Sequence, residues 1–296
     1  MDLLVELESW NGNDWFTICG HNEGDRNVYL AEDDPEGVFY DPPVRTVWEA
    51  PANLPGARFL DHRILKRTIN FKVDIYNEGK GWRKADSDWR KAWSYEHPSK
   101  LHVTSEDGHR VLNVQLLEQP VVIIPRDPAK QPYTTVEMTC VAGDPFWYGD
   151  TEVYEWITPT STLDGSTLTH TFVFTEDNPL NPTDQILRPR WWASAPAKWT
   201  FPDYSFEDDD YAERSIVMPT LISGENIVID RDPYEPQIVA ENEAPVWARM
   251  NGVRFKHNIP AYTLDAELEV SVTLAPAGSK VQLYLDRPWS RAWGLW

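Results

Sequence analysis

Apolar and polar residues alternate at Ile69, Phe71, Val73 and Ile75, and again at Val136, Met138 and Cys140. A period of two puts successive side chains on opposite faces of a strand, so these runs predict half-buried β-strands. Similar runs recur along the chain, separated by Pro, Gly, Asn and Asp. The 24 prolines limit the alternative, because an interior proline removes a hydrogen bond and clashes with the preceding helical turn. Many short, aromatic-rich runs between such breaks predict a mainly β protein. With 296 residues, one large or two ordinary domains are expected.

Residues 3–7 and 15–18 flank Asn11-Gly12-Asn13-Asp14, a hairpin signal. Residues 31–58 hold five prolines (35, 42, 43, 51 and 55) and little periodicity, and read as a long irregular loop. One helix is predicted over residues 82–97. Trp82, Ala85, Trp89, Ala92, Trp93 and Glu96 fall three and four apart on one face, and Pro98 stops the run. That tryptophan stripe is expected to face the core. Residues 101–116 form a second hairpin around Asp107-Gly108, and strands follow at 121–124 and 133–141. Residues 1–150 thus read as an antiparallel β-sandwich with a helix laid on it. Residues 151–296 read as a second β-sandwich, galectin-like or jelly-roll-like, with strands that include 246–250 and 253–260. Proline breaks the aromatic stretch 191–210 within it.

The formal net charge is −20. Affinity for nucleic acid comes largely from Lys and Arg neutralising phosphate, so a DNA-binding role is disfavoured, while a surface over which DNA passes without sticking is compatible. Cys19 and Cys140 form neither a zinc set nor a disulfide framework; they read as two small apolar residues or one disulfide. The first ten residues lack a basic segment before an apolar core, and no apolar run approaches the ~20 residues of a membrane span. The chain is expected to be made as a soluble cytoplasmic protein. No glycine-rich phosphate loop, nucleophile elbow or clustered histidine set is present, so no catalytic, cofactor or metal residue is assigned. The acidic run 207–210 lacks calcium-loop spacing and reads as a solvated loop. Trp191, Trp192 and Trp199 could stack on sugar faces; alternatively, adjacent tryptophans point to opposite faces of one strand. A carbohydrate-binding module that contacts a host glycan and a glycoside hydrolase therefore stand as competing classes.

The Arg63–Arg67 segment followed by an alternating strand, the Trp-bearing helix followed by the 101–116 hairpin, and the strand entering Asp144-Pro145-Phe146-Trp147-Tyr148-Gly149 together resemble the N-terminal domain of siphophage distal tail proteins. The second half is similar to minor tail proteins of actinobacteriophages in Met218-Pro219, Asp232-Pro233, Val246-Trp247-Ala248-Arg249-Met250, Ile259-Pro260 and the closing Arg287-Pro288-Trp289-Ser290-Arg291-Ala292-Trp293-Gly294. The resemblance spans nearly the whole chain on short motifs. It implies a structural virion protein at the tail tip, assembled in the host cytoplasm. Such a protein is expected to form a hexameric ring between the tail tube protein and the tail-tip hub, through which DNA passes without being bound. Distal tail proteins build the ring from their N-terminal domains and carry outward-facing sandwiches as their C-terminal ones. Phe146, Trp147 and Tyr148, after the turn set by Pro145, are expected to be buried between domains or subunits, and Trp289 and Trp293 to serve as further interface residues.

Overall fold

The computed structural model describes residues 3–295 apart from 33, 34, 51, 54, 80, 125 and 126. The chain divides into two compact units: residues 1–149 with 289–295, and residues 150–288. The division after Gly149 falls where the aromatic turn ends. The tail 289–295, expected in the second sandwich, folds into unit 1 instead.

Unit 1 carries β1 (Leu4–Glu8), β2 (Trp15–Cys19), β3 (Val28–Leu30), β4 (Val44–Glu49), β5 (Arg58–Ile64), β6 (Arg67–Tyr76), helix α1 (Trp82–Lys91), β7 (Ser99–Ser105), β8 (Gly108–Leu116), β9 (Val121–Ile123), β10 (Tyr133–Ala142) and β11 (Trp147–Tyr148). These strands pair antiparallel. The main path runs β2-β1-β7-β8-β10-β6-β3. β8 and β10 share only the corner Cys140↔Leu116 and Val141↔Gln115, so two sheets meet there. β10 and β6 pair along their full length, Tyr133↔Tyr76 to Ala142↔Arg67. The core fills with the inward residues of these strands, including Leu7, Phe16, Val73, Ile75, Leu112 and Met138. Trp89 and Trp93 of the α1 stripe join it, as expected for a face with helical spacing. The helix ends at Lys91 rather than 97, because Ser94 already accepts from the backbone of Glu96 and His97 in a turn. Cys19 and Cys140 are free thiols. Cys140 lies inside the core, where burial pushes its pKa up to about 12.

Unit 2 carries β12 (Glu152–Ile157), β13 (Leu168–Phe174), β14 (Arg190–Ala193), β15 (Lys198–Pro202), β16 (Ser215–Val217), β17 (Ile227–Ile229), β18 (Ile238–Ala240), β19 (Ala266–Thr273) and β20 (Lys280–Leu285). They form two sheets, β12-β20-β14-β17-β18 and β13-β19-β15-β16, around one core. Two expected strands are absent. Residues 246–250 form a 3-10 turn that ends on Asn251 in the left-handed region, and residues 253–258 are irregular. Conversely, the proline-broken stretch supplies core strands β14 and β15. The acidic run 207–210 is exposed, and Asp208 caps a short 3-10 turn through the backbone N–H of Asp210.

Candidate assembly interface

The segment expected to be a loop contains an arm. β4 and β5 pair from Val44↔Ile64 to Glu49↔Arg58, with Leu60 bulged out, and the pair joins no other sheet among the described residues. Opposed residues share a face. One face presents Val44 with Ile64, Thr46 with His62, and Trp48 with Phe59. The other presents Arg45 with Arg63, Val47 with Asp61, and Glu49 with Arg58. Trp48 packs edge-on against Phe59 at 5.4 Å and donates its indole N–H to Thr46 Oγ1 at 2.9 Å, yet it is 56% exposed and Phe59 48%. The arm is therefore amphipathic, and its apolar face lies in water. A lone two-stranded ribbon is marginal in water, and its unpaired edges are templates for another strand.

The root of the arm is built very differently. The Leu65 N–H to Pro43 carbonyl bond of 2.8 Å closes the ribbon, and Arg67 follows two residues later, wholly buried. Its Nε and one terminal nitrogen donate to Pro145 O at 3.0 and 2.8 Å. The remaining donors reach the carbonyls of Gly37 (3.1 Å), Val38 (2.9 Å), Tyr40 and Ser290 (2.8 Å). Among the described residues no carboxylate bonds to it; burial pushes its pKa down to about 10 against the opposing pull of Asp41, which leaves it charged at neutral pH. Five carbonyls from three distant segments thus converge on one guanidinium, whose planar fork of donors suits the task. Gly37 sits at φ +71°, and a Cβ there would stand 2.1 Å from Thr68 O, so the turn before the arm requires glycine.

The tail 289–295 finishes this root. A short strand, β21 (Pro288–Trp289), pairs with β11. Arg110 lies 3.9 Å over the Trp289 ring and donates to the carbonyls of Arg291 and Gly294 at 2.8 and 2.7 Å. Arg291 grips Asp41 through two 2.8 Å bonds, and those bonds, with its charge, hold the Asp41 carboxyl below the usual carboxylate range. The Ala292 N–H donates to Phe39 O at 3.0 Å, and Trp293 packs on Phe39 at 5.2 Å.

The expected interface residues divide accordingly. Trp147 is wholly buried in unit 1 and donates to Val38 O at 3.3 Å, and Trp289 is only 8% exposed. Neither offers a surface to another chain; both brace the root, because inward-facing strand positions there need large side chains. Phe146, Tyr148 and Trp293 are half-buried. Tyr148 donates to Asp144 Oδ2 at 2.8 Å. Two of the three sugar-stacking candidates are also corrected. Trp191 and Trp199 are fully buried among Phe172, Phe201 and each other's neighbours, at alternate inward positions of β14 and β15, so no ring face is open to a sugar. Trp192 points the other way, half-buried, with its N–H on Glu241 at 2.9 Å. Sequence reasoning missed the arm; the signal was present in Val44, Thr46 and Trp48, an alternating run between Pro43 and Pro51.

No family model matches the chain. The chain is 43% identical to minor tail protein Gp27 of Mycobacterium phage L5 and 42% identical to minor tail protein Gp27 of Mycobacterium phage D29, each covering 99% of both chains. Among solved structures, its fold is similar to the SPP1 Dit (gp 19.1) protein, described as a paradigm of the hub adsorption apparatus in phages infecting Gram-positive hosts. The TM-score is 0.60 at 9% identity, over 97% of this chain and 99% of that one. It is also similar to a chain of the phage p2 baseplate in its activated conformation with Ca, with a TM-score of 0.54 at 14% identity over 97% and 98%. A two-unit, mainly β chain with this fold, and this identity along its whole length, belongs to the Gp27 minor tail protein family of mycobacteriophages, structural components of the virion tail.

Proposed function

We propose that the chain is a distal tail adaptor: a ring of identical copies, hexameric as in the distal tail proteins it resembles, joining the tail tube protein to the tail-tip hub. The observation that carries this reading is the arm. A ribbon with an uncovered aromatic face, anchored on a fully satisfied buried arginine, is built to be held by something outside its own chain. The Dit-like fold supports the assignment to the tail tip. The net charge of −20 suits a channel that DNA traverses without adhering. The role is scaffolding rather than catalysis. Phe146, Tyr148 and Trp293, half-buried in one chain, are the remaining interface residues on this reading. Sedimentation of the purified full chain, followed by imaging of the virion, tests it. Closed rings located between tube and hub are expected; a monomer at every concentration would refute the ring.

A further inference from the structure

Unit 2 buries two N–H donors from which nothing in the described chain accepts: the Trp191 indole Nε1 and the Arg231 guanidinium Nε. Trp191 is 0% exposed on β14, and the Arg231 side chain only 6%. Both residues line one small cavity, together with Pro202, Tyr204, His257 and Leu268. Its volume is about 10 Å³, room for a single water-sized occupant. A buried donor left without an acceptor is costly, so two of them around one cavity call for an acceptor inside it.

The charges point the same way. The terminal nitrogens of Arg231 are already used, donating to the carbonyls of His257 and Pro202. Asp203 is wholly buried, ion-pairs with Arg214 and lies 3.4 Å from Arg231. It also accepts from the backbone N–H groups of Lys256 and His257 at 3.0 and 3.1 Å. Among the described residues no second carboxylate pairs with either arginine. Burial pushes the Arg231 pKa down to about 10, with Arg214 adding to the shift, so Arg231 stays charged at neutral pH. Burial likewise lowers the His257 pKa, and the charges of Arg214 and Arg231 add to it against the weaker pull of the exposed Asp208. Two guanidiniums against one carboxylate leave a positive charge in excess where an unpaired charge is expensive. A water molecule fits this site poorly. It accepts from two donors, but its own hydrogens need acceptors, and the unpartnered buried atoms of the lining are donors only.

We propose that this cavity binds one halide-sized monovalent anion, chloride in chemical class, held between the Arg231 Nε–H and the Trp191 indole N–H. The ion answers both donors and the excess charge at once. It joins β14 to residues 231 and 257, which lie outside the strands.

The full chain is unfolded in urea at fixed ionic strength while gluconate is exchanged for chloride or bromide. The midpoint should rise with the logarithm of halide concentration, because the ion binds the folded state alone. Trp191→Phe keeps the ring and removes the donor, and should lower the apparent halide affinity at least tenfold. Trp199→Phe is the control: its indole N–H already bonds to Ser194 O at 2.8 Å, so the halide dependence should stay at the wild-type level. Comparison of the two variants cancels general salt effects. Crystals grown in bromide should show an anomalous peak in the cavity. Equal halide dependence in wild type and Trp191→Phe overturns the site. Should Trp191→Phe fail to fold, the wild-type crystals decide, and water alone in the cavity overturns it. A bromide peak without the solution dependence is binding at crystal concentration only, and overturns it as well.

Discussion

Two hairpins of unit 1, β7–β8 and β4–β5, have like length and opposite fate. β7–β8 buries Leu101, Val103, Leu112 and Val114, and its strands pair outward with β1 and β10. β4–β5 buries none of its residues fully and pairs with nothing further. Both have cross-strand bonds and apolar residues at alternate positions. The hairpin itself therefore supplies little stability; the layer packed on its apolar face supplies most of it. One hairpin has that layer in its own chain. The other is a hairpin in search of one.

Arg67→Ala should break unit 1 outright, because it removes the guanidinium on which five backbone carbonyls from three segments converge. A loss of at least ~3 kcal/mol is expected in chemical denaturation. Leu112→Ala, at an inward position of β8 that is 0% exposed, should cost ~2–5 kcal/mol. Trp48→Ala in the arm should change the stability of the monomer by no more than ~0.5 kcal/mol, yet abolish assembly. A large thermal destabilisation from Trp48→Ala alone would erase the contrast between the hairpins. Asp41→Arg with Arg291→Asp should restore whatever arm-root protection from hydrogen exchange either single change loses; failure of the pair to rescue would show that the grip does not position residues 37–41.

The smallest expected effect is one of pH. His102 lies in β7, buried beneath Trp15, with ring nitrogens 3.0 Å from Glu8 and 2.9 Å from His109. Burial lowers its pKa; the Glu8 carboxylate opposes the shift, while His109 and Lys100 add to it. A folded-state value below the unfolded one means the stabilising contribution is complete above the unfolded pKa of ~6.5 and is lost as pH falls through the folded one. Thermal melts should therefore weaken modestly from pH 7 to pH 5, and His102→Gln should flatten that slope. An unchanged slope would remove His102 as its cause.

Much of the fold was legible in the sequence wherever burial on one face imposed alternation. β6, β10 and the β7–β8 hairpin stand in the sequence because each has one wet and one dry face. The arm was read as a loop because its flanking prolines mimic one, although Val44, Thr46 and Trp48 keep a strand period. β14 and β15 were obscured by Pro196 and Pro202 at their ends. Trp191 and Trp199 carry no local mark to distinguish a core ring from a stacking platform; only the sheet facing them decides. The tail 289–295 was assigned to the wrong unit because its contacts to Asp41, Arg67 and Arg110 span about 180–250 residues, and local pattern carries no such information.

That tail has a consequence for how the protein is made. Arg67 and Arg110 are synthesised early, yet the carbonyls of Ser290, Arg291 and Gly294 that they require leave the ribosome some 180 or more residues later. During that interval unit 1 holds an incomplete root, and the arm emerges from it. A chain interrupted between residues 286 and 289 has every strand of unit 2's sheets but lacks the carbonyls that finish the base on which its arm stands. Residues 289–295 thus complete a root whose other parts were laid down some 180 or more residues earlier.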